Sequence, residues 1–400
     1  MLVASGASKR SQVAAQQTVC NLNLKRPLMT TCITSPPGRL KPETSTAVAW
    51  IGLDAHAHFC VLAWMDDTGQ RRGHWRFPTC EGELVKHLQL IPAATKHLAL
   101  EECGLGRWLA QVAAPQVKEV TVCDPRENHH ISRHHHKCDT EDAYGLAHLD
   151  RLGALKKVWH SPSDERAVFK AAAQAYLDAV QRQTSLKLQL KAHYRQWGVI
   201  PTGSVVYSSN GRAKYLAQVQ QVGVRSQLEL IYEVLDSALV VQGKACRLMI
   251  ELGQKFPEIA RLKTVPGIGR IGANVFVAYI QEPGRFATAQ QLLRYCRLGI
   301  RDRSSDGKPL GFQQLDRCGH GVLKAISYRA WLQAMKTRRG PVYEFYAASF
   351  QRTGDETHAR LNTQRKLLQT LWVLWQNQQQ FEAKKFLGNE AQPTAKAKCG

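Results

Sequence analysis

AVAWIGLDAHAHFCVLAWMD, residues 47–66, consists of two apolar runs around a short polar bend. Aromatic and β-branched residues crowd both runs. The pattern predicts a buried strand, a turn and a second strand. One acid, Asp54, stands inside this apolar stretch. A carboxylate buried in a strand is costly unless it is paired or binds a cation.

The same alternation of element types continues outward. HLALE (97–101) predicts a short strand that ends on Glu101, and GLGRWLAQVA (104–113) predicts a helix. EVTVC (119–123) predicts another strand, stopped by Asp124-Pro125. From Thr140 the period becomes helical, with Ala143, Leu146, Ala147 and Leu149 recurring. Strands followed by helices predict a mixed α/β sheet domain over residues 47–160.

KCDTEDAYGLAHL (137–149) opens that helix with Asp139 and Asp142 three residues apart, so both face one side. Taken alone, the pair is also consistent with acids complementing the dipole at a helix start. Taken with Asp54 and Glu101 on strands, it completes a set of four carboxylates. Hard oxygen ligands of this kind suit Mg²⁺, here two ions. Two such ions can activate an attacking oxygen and stabilise a leaving one in phosphodiester chemistry. HHISRHHH (129–136) precedes the acids. His129, His130, His134, His135 and His136 could ligate a transition metal, but no Cys–His spacing accompanies them. A loop touching phosphates or lying near the catalytic metals is the better reading. His56 and His58 read as outer supports of the acids or as surface residues.

Composition narrows the partners. Lys and Arg number 54 against 32 acids, a net charge of +22. A chain this basic meets a polyanion, and nucleic acid is the commonest. No apolar run is long enough to span a membrane, and no basic amphipathic helix with a clean apolar face is evident. The eleven cysteines are scattered, with no CxxC pair, which excludes a zinc ribbon and points to a reducing cytoplasm. The first segment has no long apolar block of the secretory kind. Residues 1–46 read as a disordered basic extension.

Beyond residue 160 the pattern turns helical. Phe169, Ala173, Leu177 and Val180 keep one face, Leu186, Leu190 and Tyr194 a shifted one, and no breaker intervenes until Gly198. A helix of some thirty residues without a cap predicts a coiled coil or long arm. The loop PTGSVVYSSNGRAK and a second helix over 226–253 make an antiparallel coiled-coil arm over 161–258, with a capacity to dimerise. A mostly helical domain over 259–390 follows.

Two blocks in that last domain carry chemistry. VPGIGRIGA (265–273) matches a helix-hairpin-helix turn: Pro266, Gly267 and Gly269 let backbone amides approach phosphate, with Arg270 beside them. A glycine-rich helix connection without a ligand fits the same residues. RYCRLGIRDRSSDGKPLGFQQLDRCGHGVLKAI (294–326) places two serines among Arg301, Arg303, Lys308 and Arg317. A serine pair in a polar loop is, by itself, only a turn.

IGLDAHAH, LALEECGLGRWLA and KCDTEDAYGLA, in this order and with the two later blocks, resemble the DEDD transposases of circle-forming insertion sequences. The pilin gene-inverting recombinase is a relative. The likeness runs from about residue 47 to 385. It implies a RuvC-like, ribonuclease-H-type domain whose four metal-binding acids fall on Asp54, Glu101, Asp139 and Asp142, with Glu102 the neighbour to distrust. It implies a nucleophilic serine, best matched by Ser305 with Ser304 as alternative. It further implies DNA donor and target, a structured non-coding bridge RNA as guide, and a dimer or tetramer whose composite site joins one subunit's acids to another's serine. A bacterial, nucleoid-associated cytoplasmic enzyme is the corresponding setting. The chain departs from the pattern at Asp306, where a glycine is usual, and at Arg297 and Ile300, where Gly and Pro are usual. Two other readings stay open: a metal-dependent resolvase-type endonuclease that uses water, and a DNA-binding protein without catalysis.

Overall fold

The computed structural model describes residues 46–126, 138–161, 163–301, 304–305, 308–309, 314–316 and 318–388. It divides into two compact units at Val158–Trp159.

The first unit is built on a five-stranded mixed sheet. Its elements are β1 (Thr46–Ala55), β2 (Phe59–Asp66), β3 (Arg71–Pro78), α1 (Glu81–Leu90), β4 (Ala93–Glu101), α2 (Gly106–Ala113), β5 (Glu119–Cys123) and α3 (Asp139–Arg151). The strand order is β3-β2-β1-β4-β5. β1, β2 and β3 form an antiparallel meander, while β4 runs parallel to β1 and β5 parallel to β4. β1 is therefore central and covered on both faces, which is why its residues are apolar on both sides of the pleat. Ile51, Leu53, Leu62, Leu98 and Leu100 pack on one face with Leu84 and Leu88 of α1 and Leu109 of α2. On the other face, Val61, Ala63 and Met65 meet Ala143, Tyr144 and Ala147 of α3. Each large aliphatic side chain buried this way contributes about 1.5–3 kcal/mol.

The strand–turn–strand reading of 47–66 and the helix after Thr140 correspond to β1, β2 and α3. β3 and α1 were not foreseen. The signal for β3 lies in HWRF (74–77), where Trp75 and Phe77 are buried and His74 and Arg76 exposed, a period of two hidden among basic residues.

The second unit opens with two long helices, α4 (Asp164–Gln196) and, after α5 (Ser209–Leu216), α6 (Val222–Gly253). They are antiparallel: Phe169, Ala173 and Tyr176 of α4 share a core with Met249 of α6, while Leu190 and Tyr194 share another with Val224, Leu228 and Tyr232. Three details correct the sequence reading. α4 is capped, since the Ser163 hydroxyl accepts from the Arg166 amide at 3.4 Å. α6 starts at Val222 rather than 226, because Val224 and Leu228 bury one turn apart and draw the first turn into the tip core. The polar loop contains α5, which Ser208 caps by accepting from Gly211 N at 3.2 Å.

The remaining elements are α7 (Glu258–Leu262), α8 (Gly269–Ile280), α9 (Ala289–Tyr295), the two-residue strands β6 (Ile300–Arg301), β7 (Ser304–Ser305), β8 (Lys308–Pro309) and β9 (Gln314–Leu315), then α10 (Gly321–Thr337), α11 (Pro341–Thr353), α12 (Glu356–Gln376) and α13 (Ala383–Leu387). α8 is buried almost all round, and Leu367, Leu368, Leu371 and Trp375 of α12 join its core. Among the described residues, no helix is long and apolar enough to cross a membrane.

Candidate active site

β1 and β4 are parallel neighbours, with Leu53 level with Leu100. The next residues, Asp54 and Glu101, therefore stand side by side at the carboxyl ends of the two strands. Leu53 and Leu100 point to the α1–α2 face, so alternation sends Asp54 and Glu101 to the α3 face. Glu102 turns elsewhere: its carboxylate lies 3.8 Å from where a Cβ on Gly106 would stand, at the start of α2.

α3 closes the site because Gly52 has no side chain. A Cβ there would lie 1.8 Å from the Ala143 carbonyl oxygen and 2.9 Å from the Ala147 amide. The helix consequently rests directly on the β1 backbone, and its first turn sits over the end of that strand. The helix N-cap is Cys138, which makes no side-chain capping bond. Asp139 and Asp142 thus lie within the first turn and do not cap it. Glu141, between them, faces away and takes a bidentate pair from Arg71 of β3, at 2.6 Å for each bond. Arg71 also stacks over Tyr144 at 4.4 Å.

Among the described residues, Asp54, His56 and Asp139 form a group of potential ligands whose ligating atoms all lie within 4.8 Å of one another. His56 Nε2 is 3.0 Å from Asp54 Oδ2 and 3.7 Å from Asp139 Oδ1. Burial raises the Asp54 carboxyl above its ordinary value; the nearby charges of Asp139 and Asp142 raise it further, against the lowering effect of His56. His56 is the member that sequence reasoning left outside. It sits at the β1–β2 turn, where its amide donates to the Phe59 carbonyl and the Thr79 hydroxyl donates to its carbonyl. The signal was its spacing, two residues after Asp54 and across a tight turn. His58 is exposed.

The donor set fits a divalent cation. Two carboxylate oxygens and an imidazole nitrogen converge, and the mutual repulsion of Asp54, Asp139 and Asp142 is what a cation relieves. The imidazole widens the choice beyond Mg²⁺ towards Mn²⁺ or Zn²⁺. Among the four acids read from the sequence, the fold brings Asp54 and Asp139 into this group. Asp142 acts on Asp54 by charge, and Glu101 stands one strand over. The histidines 129, 130, 134, 135 and 136 lie outside the described residues.

In the second unit, α7 and α8 flank the glycine turn. Gly267 has φ +82° and Gly269 φ +59°, conformations that favour glycine. Gly267 also packs against α10, since a Cβ there would lie 2.8 Å from Ala330 Cα. Nothing lies within 4 Å of a Cβ built on Gly269, and Arg270 beside it is exposed. The first glycine thus has a packing reason, and only the second faces open space.

Ser304 and Ser305 form β7, paired with Pro309 and Lys308 respectively. β6 and β9 pair beside them in sequence, Ile300 with Leu315 and Arg301 with Gln314. Buried Asp316 anchors this pairing: its amide donates to Gly299 O at 2.8 Å, and its carboxylate accepts from Cys318 N at 2.9 Å and Arg294 Nε at 2.8 Å. Those bonds, the Cys318 amide first, hold its carboxyl below the usual range despite burial. Arg303, Asp306 and Arg317 lie outside the described residues, as do the side chains of Ser304, Ser305 and Lys308.

Residues 259–347 match the model of the transposase IS116/IS110/IS902 family. The match runs from α7 into α11 and takes in both the glycine turn and the serine strands. A domain of this kind makes the chain an enzyme of the DNA transposase and recombinase class. No curated protein matches the chain.

Proposed function

We propose that the chain is a DEDD-type transposase that cuts and rejoins DNA through Ser305, assisted by Mg²⁺ held at Asp54, Glu101, Asp139 and Asp142. The observation that carries this reading is the transposase match over 259–347, which contains the serine strands. The acids at the carboxyl ends of adjacent strands in a mixed sheet support the RuvC-like reading of the first unit.

In the proposed reaction the Ser305 oxygen attacks a DNA phosphorus. A serine O–P bond forms, the bond to the sugar oxygen breaks, and that oxygen leaves with a proton. The serine's own proton passes to a neighbouring base. A hydroxyl of a second strand then attacks the same phosphorus and frees the serine. A serine hydroxyl is a weak nucleophile alone, so an adjacent base is required. The bound cation would supply charge neutralisation at the phosphate. Ser304 is the alternative nucleophile. Arg301, Arg303, Lys308 and Arg317 would hold phosphate near it, and Pro266, Gly267, Gly269 and Arg270 would grip the duplex through a helix-hairpin-helix contact.

The same reading makes the enzyme RNA-guided, with a bridge RNA encoded beside the gene, and oligomeric through a coiled-coil arm. The net charge of +22 supports a chain that holds RNA and DNA together. The exposed Leu230, Val234 and Val241 of α6 support association along the arm.

The test combines purified protein, RNA transcribed from the flanking DNA and end-labelled DNA. A denaturation-resistant protein–DNA adduct is expected, absent in both Ser305→Ala and Asp54→Asn. Cleavage that survives Ser305→Ala would replace this reading by a water-using endonuclease. No cleavage with Mg²⁺ or Mn²⁺ would leave a binding protein.

A further inference from the structure

We infer that Arg76, on the edge strand β3, is a phosphate clamp that seats the DNA strand leading into the acid site. The clamp rests on the reading of those acids as the place where DNA phosphate is handled.

The cross-strand register sets the position. Asp54 of β1 is level with Val61 of β2, and Val61 is level with Arg76 of β3. Residues level with one another across a sheet share a face, so Arg76 emerges on the α3 face, in the same row as Asp54. Two strand spacings put the two backbones about 9–10 Å apart. β3 is the sheet edge, so nothing in the sheet lies beyond it.

A line of stacked groups joins Arg76 to the acids. Its guanidinium carbon lies 3.8 Å from the Phe59 ring centre. The Phe59 ring lies 4.5 Å from the His56 ring, and His56 bonds Asp54. Arg76 is thereby fixed in place without its donors being spent. Stacking uses the flat face of a guanidinium and leaves the N–H edge free for a bidentate acceptor.

The other two arginines of β3 are committed. Arg71 is forked onto Glu141, and Arg72 is bonded to Asp66 at 2.6 Å. Among the described residues Arg76 pairs with no carboxylate, although it is exposed and shares its row and face with Asp54. A cation held rigid near a cluster of acids, yet kept out of contact with them, suits an anion that arrives between. The phosphodiester is that anion: one phosphate at the acids, a neighbouring phosphate of the same strand at Arg76.

The experiment measures binding of a fluorescein-labelled synthetic DNA duplex to the full-length protein by anisotropy across a KCl series, in Ca²⁺, alongside cleavage in Mg²⁺ and Mn²⁺. The variants are Arg76→Ala, Arg76→Lys, Phe59→Leu and, as a charge control, Lys86→Ala on α1 at the opposite face. Loss of one phosphate contact reduces the log K against log salt slope by about 0.9. That drop is expected for Arg76→Ala and absent in Lys86→Ala. Affinity at fixed salt should fall about tenfold or more, as for a lost charge-assisted bond. Arg76→Lys should keep the slope and recover part of the affinity, and Phe59→Leu should fall between. Equal slopes for Arg76→Ala and the parent would overturn the clamp, as would the same drop in Lys86→Ala. If the parent cuts DNA while Arg76→Ala leaves slope and KM unchanged, the clamp falls and the catalytic reading stands. If nothing is cut but the slope still drops, the clamp stands and the catalytic reading falls.

Discussion

The acids of the first unit and the serines of the second are held in different ways. Asp54 and Glu101 end two long strands of a five-stranded sheet, and α3 is pressed onto that sheet with backbone-to-backbone closeness at Gly52. Ser304 and Ser305 occupy a strand of two residues, and the neighbouring pair β6–β9 depends on one buried carboxylate, Asp316. The first site is positioned by core packing, which is not continuously deformable. The second is positioned by a handful of hydrogen bonds, each worth about 1 kcal/mol net. On the proposed reading, a group that shares a cation with two others needs the former, and a nucleophile that must form and release a bond to DNA can be carried by the latter.

Three substitutions test this contrast. The largest effect is expected at Gly52. Gly52→Val drives a side chain into the Ala143 carbonyl and must lift α3, at a cost of about 3 kcal/mol or more, at the upper end for overpacking. Thermal unfolding should show the loss, and Mn²⁺ binding followed by paramagnetic relaxation should vanish with it. A Gly52→Val protein that keeps both would show that α3 is not held by this contact.

Next comes Asp66, buried at the end of β2. Burial would raise its carboxyl, but hydrogen bonds from Thr68, the Gln70 amide and Arg72 outweigh burial and hold it below the usual range. A carboxyl lowered in the folded state stabilises above its unfolded value and loses that contribution as pH falls through the folded value. Stability of the parent should therefore decline as pH drops below about 4, the ordinary range of Asp. Asp66→Asn should start about 3 kcal/mol lower at neutral pH, the low end for breaking a buried pair, and show a flatter decline. Chemical denaturation at stepped pH checks both. Parallel curves for the two proteins would remove Asp66 from the account.

The smallest effect on stability is expected at Asp316. Asp316→Ala removes the acceptor of the Cys318 amide, at about 1 kcal/mol for one net hydrogen bond. Its partner Arg294 is largely exposed and adds little. Hydrogen exchange at the Arg301 and Asp316 amides should quicken while that of α8 stays slow, and the DNA adduct should be lost. An adduct formed at the parental rate would mean that the β6–β9 pairing does not position the serine.

Much of the fold was legible because local pattern and burial agree. The apolar runs around Asp54 are strands in the centre of a sheet, and the helical period after Thr140 is α3. Where they disagree, the reading failed. β3 hides its Trp75 and Phe77 among arginines, and α5 hides in a loop rich in Ser and Gly. The acids were legible as residue types and order, and the fold groups Asp54 and Asp139 of them. His56 was not, because its role depends on a turn that folds it back over Asp54. Arg76 was not, because its row is set by pairing across two strands.

The sequence by itself determined the residue types: four acids on strand ends and a helix start, a basic excess, a glycine turn and a serine pair, all in one order. These follow from local periodicity and composition, which neighbouring residues dictate. Only the tertiary structure decided which of them meet. Strand register set Asp54 beside Glu101 and in line with Arg76, and a missing Cβ at Gly52 let α3 carry Asp139 to His56. Register and close approach are properties of pairs distant in the chain, and no local pattern encodes them.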